Sequence, residues 1–319
     1  MLNVLEECKG AKKIGISGHV RPDGDCAGSC MALAMYLRKV MIECQVDVLL
    51  EEINDTLSVI KGVDDIFHEP TNEIYDVFFV LDGSYDRIGF AVDDSLNAKK
   101  KINIDHHISN RGGADIDYII PTVGSTSELI FELMDESYMD VEIAKAIYIG
   151  MIHDTGVFQY SNTSARTLEI AGKLIAYDFD FSKIIEETFY ERSYEKTEIL
   201  GRALLECMMV LDRKCAVACI TQRMLNFYQV SVNDLDGIVN QLKQIKGVEC
   251  AIMLVEYGSM EYKASLRSSD VIDVSKIAMY FGGGGHKKAA GVTMKGTHRD
   301  VINNLLRHID AQLKERTSD

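Results

Sequence analysis

Acidic and histidine side chains stand wherever an apolar run of this 319-residue chain stops. His19, Asp23 and Asp25 share the stretch Gly18-His19-Val20-Arg21-Pro22-Asp23-Gly24-Asp25, and Asp82 ends the run Val77-Phe78-Phe79-Val80-Leu81. Asp105-His106-His107 ends Lys101-Ile102-Asn103-Ile104, and Asp154 follows a helical stretch from Ile147 to His153. Side chains at the ends of several strands converge on one crevice in an open α/β sheet. Read together, these residues make two metal sites that share a bridge. Oxygen-rich ligation with some imidazole suits Mn²⁺ or Mg²⁺ better than structural zinc. Two such ions about 3.5–4 Å apart clamp a phosphoryl group and generate a hydroxide nucleophile. The chemistry indicated is metal-dependent phosphoester hydrolysis.

Each piece has a plainer alternative. Pro22 and Gly24 make a tight turn that aims alternating side chains at one point, but Asp23 and Asp25 could equally cap a helix. A carboxylate at a buried strand end, such as Asp82, is costly unless paired or metal-bound; the alternative is a cap on the turn Gly83-Ser84. Adjacent strand residues point to opposite sides, so His106 and His107 should play different parts, one on metal and one toward substrate. Asp105 is placed to orient an imidazole without touching metal itself. Gly28-Ser29 would let substrate oxygens approach the backbone at a helix start.

Positioning these groups requires alternating strands and helices. Ile14–Ile16, Val46–Leu50, Val77–Leu81 and Ile102–Ile104 read as strands of a parallel sheet covered on both faces. Ala27–Val40, Gly124–Met134, Val141–His153 and Ala165–Ile175 read as helices, giving a doubly wound α/β domain. A polar connector over Glu186–Thr197 leads into a helix from Tyr194 to Met209. Beyond it the pattern predicts strands at Cys215–Ile220, Val248–Val255 and Tyr262–Leu266, and helices at Asn233–Lys243, Val274–Tyr280 and Arg299–Lys314. The expected division is a catalytic, metal-binding domain over 1–190. A linker helix and a smaller α/β substrate-binding domain fill 191–319, with the active site in the cleft between the two domains.

The second half adds a phosphate-binding pattern. Gly282-Gly283-Gly284-Gly285-His286 frees the backbone to point several N–H groups at an anion. His286 and Arg267 add hydrogen bonds and charge, the arginine through its bidentate fork. A flexible turn is the alternative for the glycines, and Lys287 and Lys288 read as solvated surface charges.

Bulk properties narrow the partner. Hydrophobic residues make up 47% of the chain and charged residues 26%, ordinary for a globular protein with sizeable cores. No apolar run approaches a membrane span, and Met1–Lys13 lacks the apolar core of a secretory signal. Eight scattered cysteines without zinc-like spacing read as reduced thiols, so a cytoplasmic setting is expected. Long duplex DNA is gripped through many phosphate contacts, which a chain of net charge -15 without a basic block does not offer. A short phosphorylated substrate fits better.

On these motifs the chain resembles the DHH phosphoesterase family, named for the triplet present here as Asp105-His106-His107. Residues 19–29 match its first motif, Asp82-Gly83-Ser84 the second, and Asp154-Thr155-Gly156 with Asn162-Thr163 the fourth. Ser265-Leu266-Arg267-Ser268, the glycine run and Ala289-Ala290-Gly291 match the smaller associated domain. Length and spacing are most similar to the nanoRNase and 3′-phosphoadenosine-5′-phosphate (pAp) phosphatase branch. Cys26, where a smaller residue is more usual, is a mild departure that leaves the chemistry intact.

The resemblance implies two divalent ions, Mn²⁺ first with Mg²⁺ as the alternative. His19 and Asp23 would hold one, Asp25, His106 and Asp154 the other, and Asp82 would bridge. His107 would touch the reacting phosphate or the leaving oxygen. Arg267, Gly283, Gly284, Gly285 and His286 would hold a terminal phosphate. It implies hydrolysis of short 5′-phosphorylated oligoribonucleotides and linear dinucleotides to mononucleotides, and of pAp to AMP. A cyclic-dinucleotide phosphodiesterase and a silent nucleotide-binding sensor are the alternatives. A homodimer is compatible with this reading.

Overall fold

The apolar runs of the first half become parallel strands. β1 (Lys13–Gly18), β2 (Gln45–Leu49), β3 (Val77–Leu81), β4 (Lys101–Asp105) and β5 (Ile116–Ile119) form one sheet ordered β2-β1-β3-β4-β5, every pair parallel. β3 is buried at all five positions, as a central strand covered on both faces must be. The helices are α1 (Val4–Glu7), α2 (Gly24–Val40), α3 (Val92–Leu96), α4 (Thr126–Leu133), α5 (Val141–Asp154), α6 (Ala165–Ile175) and α7 (Phe181–Ile185), followed by a π-helical turn at Glu186–Tyr190. Ile14, Ile16, Val77, Phe79 and Leu81 share a core with α2, α4, α5 and α6; Phe78, Val80 and Tyr75 fill a smaller one on the opposite face. The computed structural model describes residues 2–317 and divides into two compact units, Met1–Glu191 and Arg192–Asp319.

The second unit is a mixed six-stranded sheet. Its strands β6 (Met208–Val210), β7 (Cys215–Ile220), β8 (Cys250–Gly258), β9 (Glu261–Ser268), β10 (Gly284–His286) and β11 (Ala289–Lys295) are ordered β10-β11-β9-β8-β7-β6, and only β7 and β8 pair in parallel. α8 (Tyr194–Leu205), α9 (Gln222–Tyr228) and α10 (Ile238–Lys243) cover β7 and β8 on one face. α11 (Val274–Tyr280) and α12 (His298–Thr317) cover the other.

Several boundaries differ from expectation. The helix expected to run from Tyr194 to Met209 stops at Leu205, and Met208–Val210 pairs with β7 as an edge strand. The helix expected over Asn233–Lys243 is broken at Gly237, whose φ of 83° separates a 3₁₀ turn from α10. The glycine run is no flexible turn: Gly284–His286 pairs antiparallel with Ala289–Gly291. A Cβ at Gly283 would run into the Gly291 carbonyl, and one at Gly285 would come 2.5 Å from the Ala289 carbonyl. Those glycines let the hairpin close. β5, β10, β11, α1, α3, α7 and α9 were not expected. Among the described residues all eight cysteines are free thiols, and no helix is long and apolar enough to cross a membrane.

Candidate metal centre

The C-terminal ends of β1, β3 and β4 lie side by side, and each delivers part of the cluster. His19 follows β1 and is 7% exposed; Asp82 follows β3 and is 1% exposed. Asp82 has a φ of 56°, a left-handed conformation uncommon outside glycine, which turns the chain as the strand ends. Its two carboxylate oxygens face different partners. Oδ2 lies 3.4 Å from His19 Nε2, while Oδ1 lies 3.6 Å from both His106 Nε2 and His107 Nδ1. A carboxylate with one imidazole on one oxygen and two on the other has the geometry of a bridge.

The first motif serves both as caps and as potential ligands. Asp23 caps α2, accepting from the backbone N–H groups of Asp25 and Cys26, and sits 3.7 Å from His19 Nε2. The His19 ring is set by its other nitrogen: Val20 C=O can only accept, so Nδ1 donates to it at 2.9 Å and Nε2 is turned inward. Asp25, fully buried in the first turn of α2, directs its carboxylate at the start of a different helix, α4. Thr126 N–H donates to its Oδ2 at 2.6 Å and Ser127 N–H to its Oδ1 at 2.9 Å. The helix N-terminus thereby stabilises a buried anion. The backbone of Gly28 is not available to substrate as expected. Gly28 and Ser29 are buried in α2, and a Cβ at Gly28 would lie 2.5 Å from the Ala146 carbonyl of α5. Gly28 is there so that two helices can touch.

His106 and His107 have different carboxylate partners. His106 Nε2 lies 3.1 Å from Asp154 Oδ2, at the last residue of α5, yet is buried without a well-aligned hydrogen bond. His107 Nδ1 pairs instead with Asp105 Oδ1 at 2.8 Å, and that oxygen also accepts the backbone N–H of both histidines. Two participants were not foreseen. The Asn110 amide donates to Asp105 Oδ2 at 2.6 Å, to Asn103 Oδ1 and to the Gly83 carbonyl, tying the second motif to the third. Thr126 Oγ1 donates to Asp82 Oδ1 at 3.0 Å. An asparagine three residues past the triplet was the only visible signal, and for Thr126 there was none.

The electrostatics favour a cation. Burial, then Asp82 and Asp154, push the Asp25 carboxyl well above its ordinary range, and burial also raises Asp82. Burial pulls His19 down, but Asp23 and Asp82 outweigh it and lift the imidazole to about 12. His106 rises to about 10 on Asp154 and Asp25 against the same burial. Carboxylates that resist ionising and imidazoles that hold protons mark a pocket short of positive charge. Among the described residues three groups place their donor atoms within 4.8 Å of one another: His19, Cys26 and Asp82; Asp82, His106 and His107; and Asp25, His106 and Asp154. With the orphaned His106 nitrogen, a donor set that is oxygen and imidazole apart from the Cys26 thiol fits a hard or borderline divalent ion.

The expected phosphate-binding residues gather in the second unit. Arg267 on β9 is opposite Ala289 on β11, which is opposite His286 on β10, so all three side chains share one face of the sheet. Next in register on that face are Ser265, Gly291 and Gly284. The Arg267 guanidinium is oriented by Asn240 Oδ1 at 3.0 Å and the Leu266 carbonyl at 3.1 Å. Gly284, Gly285 and His286 are exposed, and Gly283 is half-buried.

Known proteins share this layout. The DHH family, N-terminal domain, matches residues 13–151, and the DHHA1 domain matches 213–315. The "Bifunctional oligoribonuclease and PAP phosphatase NrnA" of Bacillus subtilis is 26% identical over 93% of each chain. A "Probable bifunctional oligoribonuclease and PAP phosphatase NrnA" of Streptococcus mutans is 28% identical over 90% of this chain and 91% of its own. The crystal structure of an exopolyphosphatase-related protein from Bacteroides fragilis superposes with a TM-score of 0.87 at 27% identity, covering 98% of this chain and 94% of its own. With the triplet at the end of β4 and both domains in the expected order, the chain belongs to the DHH family and carries a DHHA1 domain.

Proposed function

We propose that the protein is a metal-dependent phosphoesterase. It hydrolyses short 5′-phosphorylated oligoribonucleotides, linear dinucleotides among them, to mononucleotides, and pAp to AMP. The observation that carries this reading is Asp82, buried at a strand end with its two oxygens turned to different histidines. Curated relatives that match nearly the whole chain bear the names of an oligoribonuclease and PAP phosphatase, which supports the substrate class.

His19 and Asp23 would hold one Mn²⁺, Asp25, His106 and Asp154 the second, and Asp82 both. When bound, such a pair polarises phosphoryl oxygens and lowers the pKa of water. The chain's own groups do the rest. Asp105 fixes His107 through Nδ1, so Nε2 faces away from that carboxylate and is the nitrogen offered to substrate. The hydrogen bond to Asp105 raises the His107 pKa, so the ring can carry a proton to a leaving oxygen. Arg267, His286 and the backbone of Gly283–Gly285 take the substrate's terminal phosphate, the arginine in bidentate fashion.

A Mn²⁺ turnover assay tests the reading with 5′-phosphorylated dinucleotides, pAp, cyclic dinucleotides and long duplex DNA. Dinucleotides and pAp are expected to turn over fastest and duplex DNA hardly at all; turnover confined to cyclic dinucleotides would replace this reading. Arg267→Ala should raise KM for 5′-phosphorylated dinucleotides about tenfold or more, consistent with a lost charge-assisted contact. Removing the 5′-phosphate from wild-type substrate should do the same. The two losses should not add, since both delete one interaction. Fully additive losses would mean that arginine and phosphate never meet.

A further inference from the structure

We infer that His153 is a positioning residue that holds the His19–Asp25 turn in its metal-binding shape, an inference that rests on the metal reading of that turn. Gly24, between Asp23 and Asp25, is the first residue of α2 and is buried. It is not among the residues with positive φ, so backbone freedom does not explain a glycine there. Space does. A Cβ on Gly24 would run into His153 Cγ and lie 2.6 Å from both Cδ2 and Nδ1 of the ring. The imidazole fills the volume that any other side chain at 24 would need.

The ring is itself wedged. It stands on α5 immediately before Asp154, and meets Phe189 edge-to-face with ring centroids 5.6 Å apart. Phe189 lies in the π-helical turn Glu186–Tyr190, a distortion that recurs at functional sites, and meets Tyr190 edge-to-face with ring centroids 5.1 Å apart. His153 is thus a spacer between the Asp23-Gly24-Asp25 turn on one side and the Phe189 ring on the other. The turn carries two carboxylates that must aim in different directions, Asp23 beside His19 and Asp25 under α4. A gap behind Gly24 would let the turn sink toward α5 and swing both. An oversized residue at 24 would lift it away. Neither change touches a ligand, but each alters where two of them point, and misplacement of a fraction of an ångström weakens a preorganised site.

The experiment is a size exchange read by Mn²⁺ alone, on the full chain, by calorimetric titration and by the EPR signal of bound Mn²⁺. Gly24→Ala and His153→Ala should each weaken Mn²⁺ binding about tenfold or more and broaden the EPR signal. The double variant should recover most of what Gly24→Ala loses, because the added methyl then occupies space the ring has vacated. His153→Phe, which keeps a flat ring, should bind Mn²⁺ within about threefold of wild type. Recovery in the double variant and retention in the phenylalanine variant establish a spacer. Wild-type Mn²⁺ binding in both single variants, or losses that add in the double, would overturn it. A phenylalanine variant as weak as the alanine one would also overturn it, since ring nitrogen rather than ring volume would then matter. Should Gly24→Ala fail to fold, the His153→Ala and His153→Phe pair still decides. Absence of Mn²⁺ binding by the wild type would instead sink the metal reading itself.

Discussion

Asp82→Ala should lower kcat/KM by about 10³-fold or more, or about 4 kcal/mol of transition-state stabilisation. The size follows from the position. One side chain faces His19 with one oxygen and His106 and His107 with the other, and the Thr126 hydroxyl holds it in place. Its loss would unsettle both halves of the centre, whereas loss of Asp23 would unsettle one. Metal analysis of the variant should show fewer than two Mn²⁺ per chain. Two bound ions and near-normal rates in Asp82→Ala would falsify the bridge.

The second large effect is expected at a residue that holds no metal itself, one helical turn before Asp154 on α5. Gly150→Ala should destabilise the first unit by about 1–3 kcal/mol, the usual cost of overpacking a filled core. It should also weaken Mn²⁺ binding. A Cβ at Gly150 would run into Ser127 Oγ and stand 2.8 Å from Asp25 Oδ1. Something must yield: α5 moves off α2, or the start of α4 moves and takes Asp25 with it. Thermal melts with and without Mn²⁺ separate the two. A shift of about 2–4 °C per kcal/mol is expected without metal, with a smaller Mn²⁺-induced rise than in wild type. An equal Mn²⁺-induced rise would show that Asp25 keeps its place and that only packing suffers.

The ligand candidates were legible because each closes an apolar run too long for a turn, and strand ends of a parallel sheet meet at one edge. The parallel sheet itself was legible for a related reason: β3 carries apolar residues on both faces, and β4 is buried at four of its five positions. What escaped depended on contacts that no local pattern encodes. The plainer alternative for Asp25 was a cap on its own helix; the N–H groups it accepts from belong instead to the start of α4, 101 residues later. Gly28 looked like an opening for substrate and is a contact between helices. Met208–Val210 continues the apolar character of the helix before it, and its pairing with β7 makes it a strand. The four glycines signalled backbone freedom, but whether for an anion or for a tight hairpin depends on the facing strand, β11.

The grip of α4 on Asp25 has a consequence for ion choice. With one N–H on each oxygen, at 2.6 and 2.9 Å, this carboxylate is held against swinging between one-oxygen and two-oxygen contact. Ca²⁺ draws its affinity from that freedom, taking about six to eight oxygens in a loose shell, whereas Mg²⁺ needs a near-ideal octahedron. A pinned donor thus penalises the larger ion and spares the smaller, so Ca²⁺ should compete poorly with Mn²⁺ in a displacement titration. Discrimination by ionic radius would then reside in two backbone amides that no metal contacts.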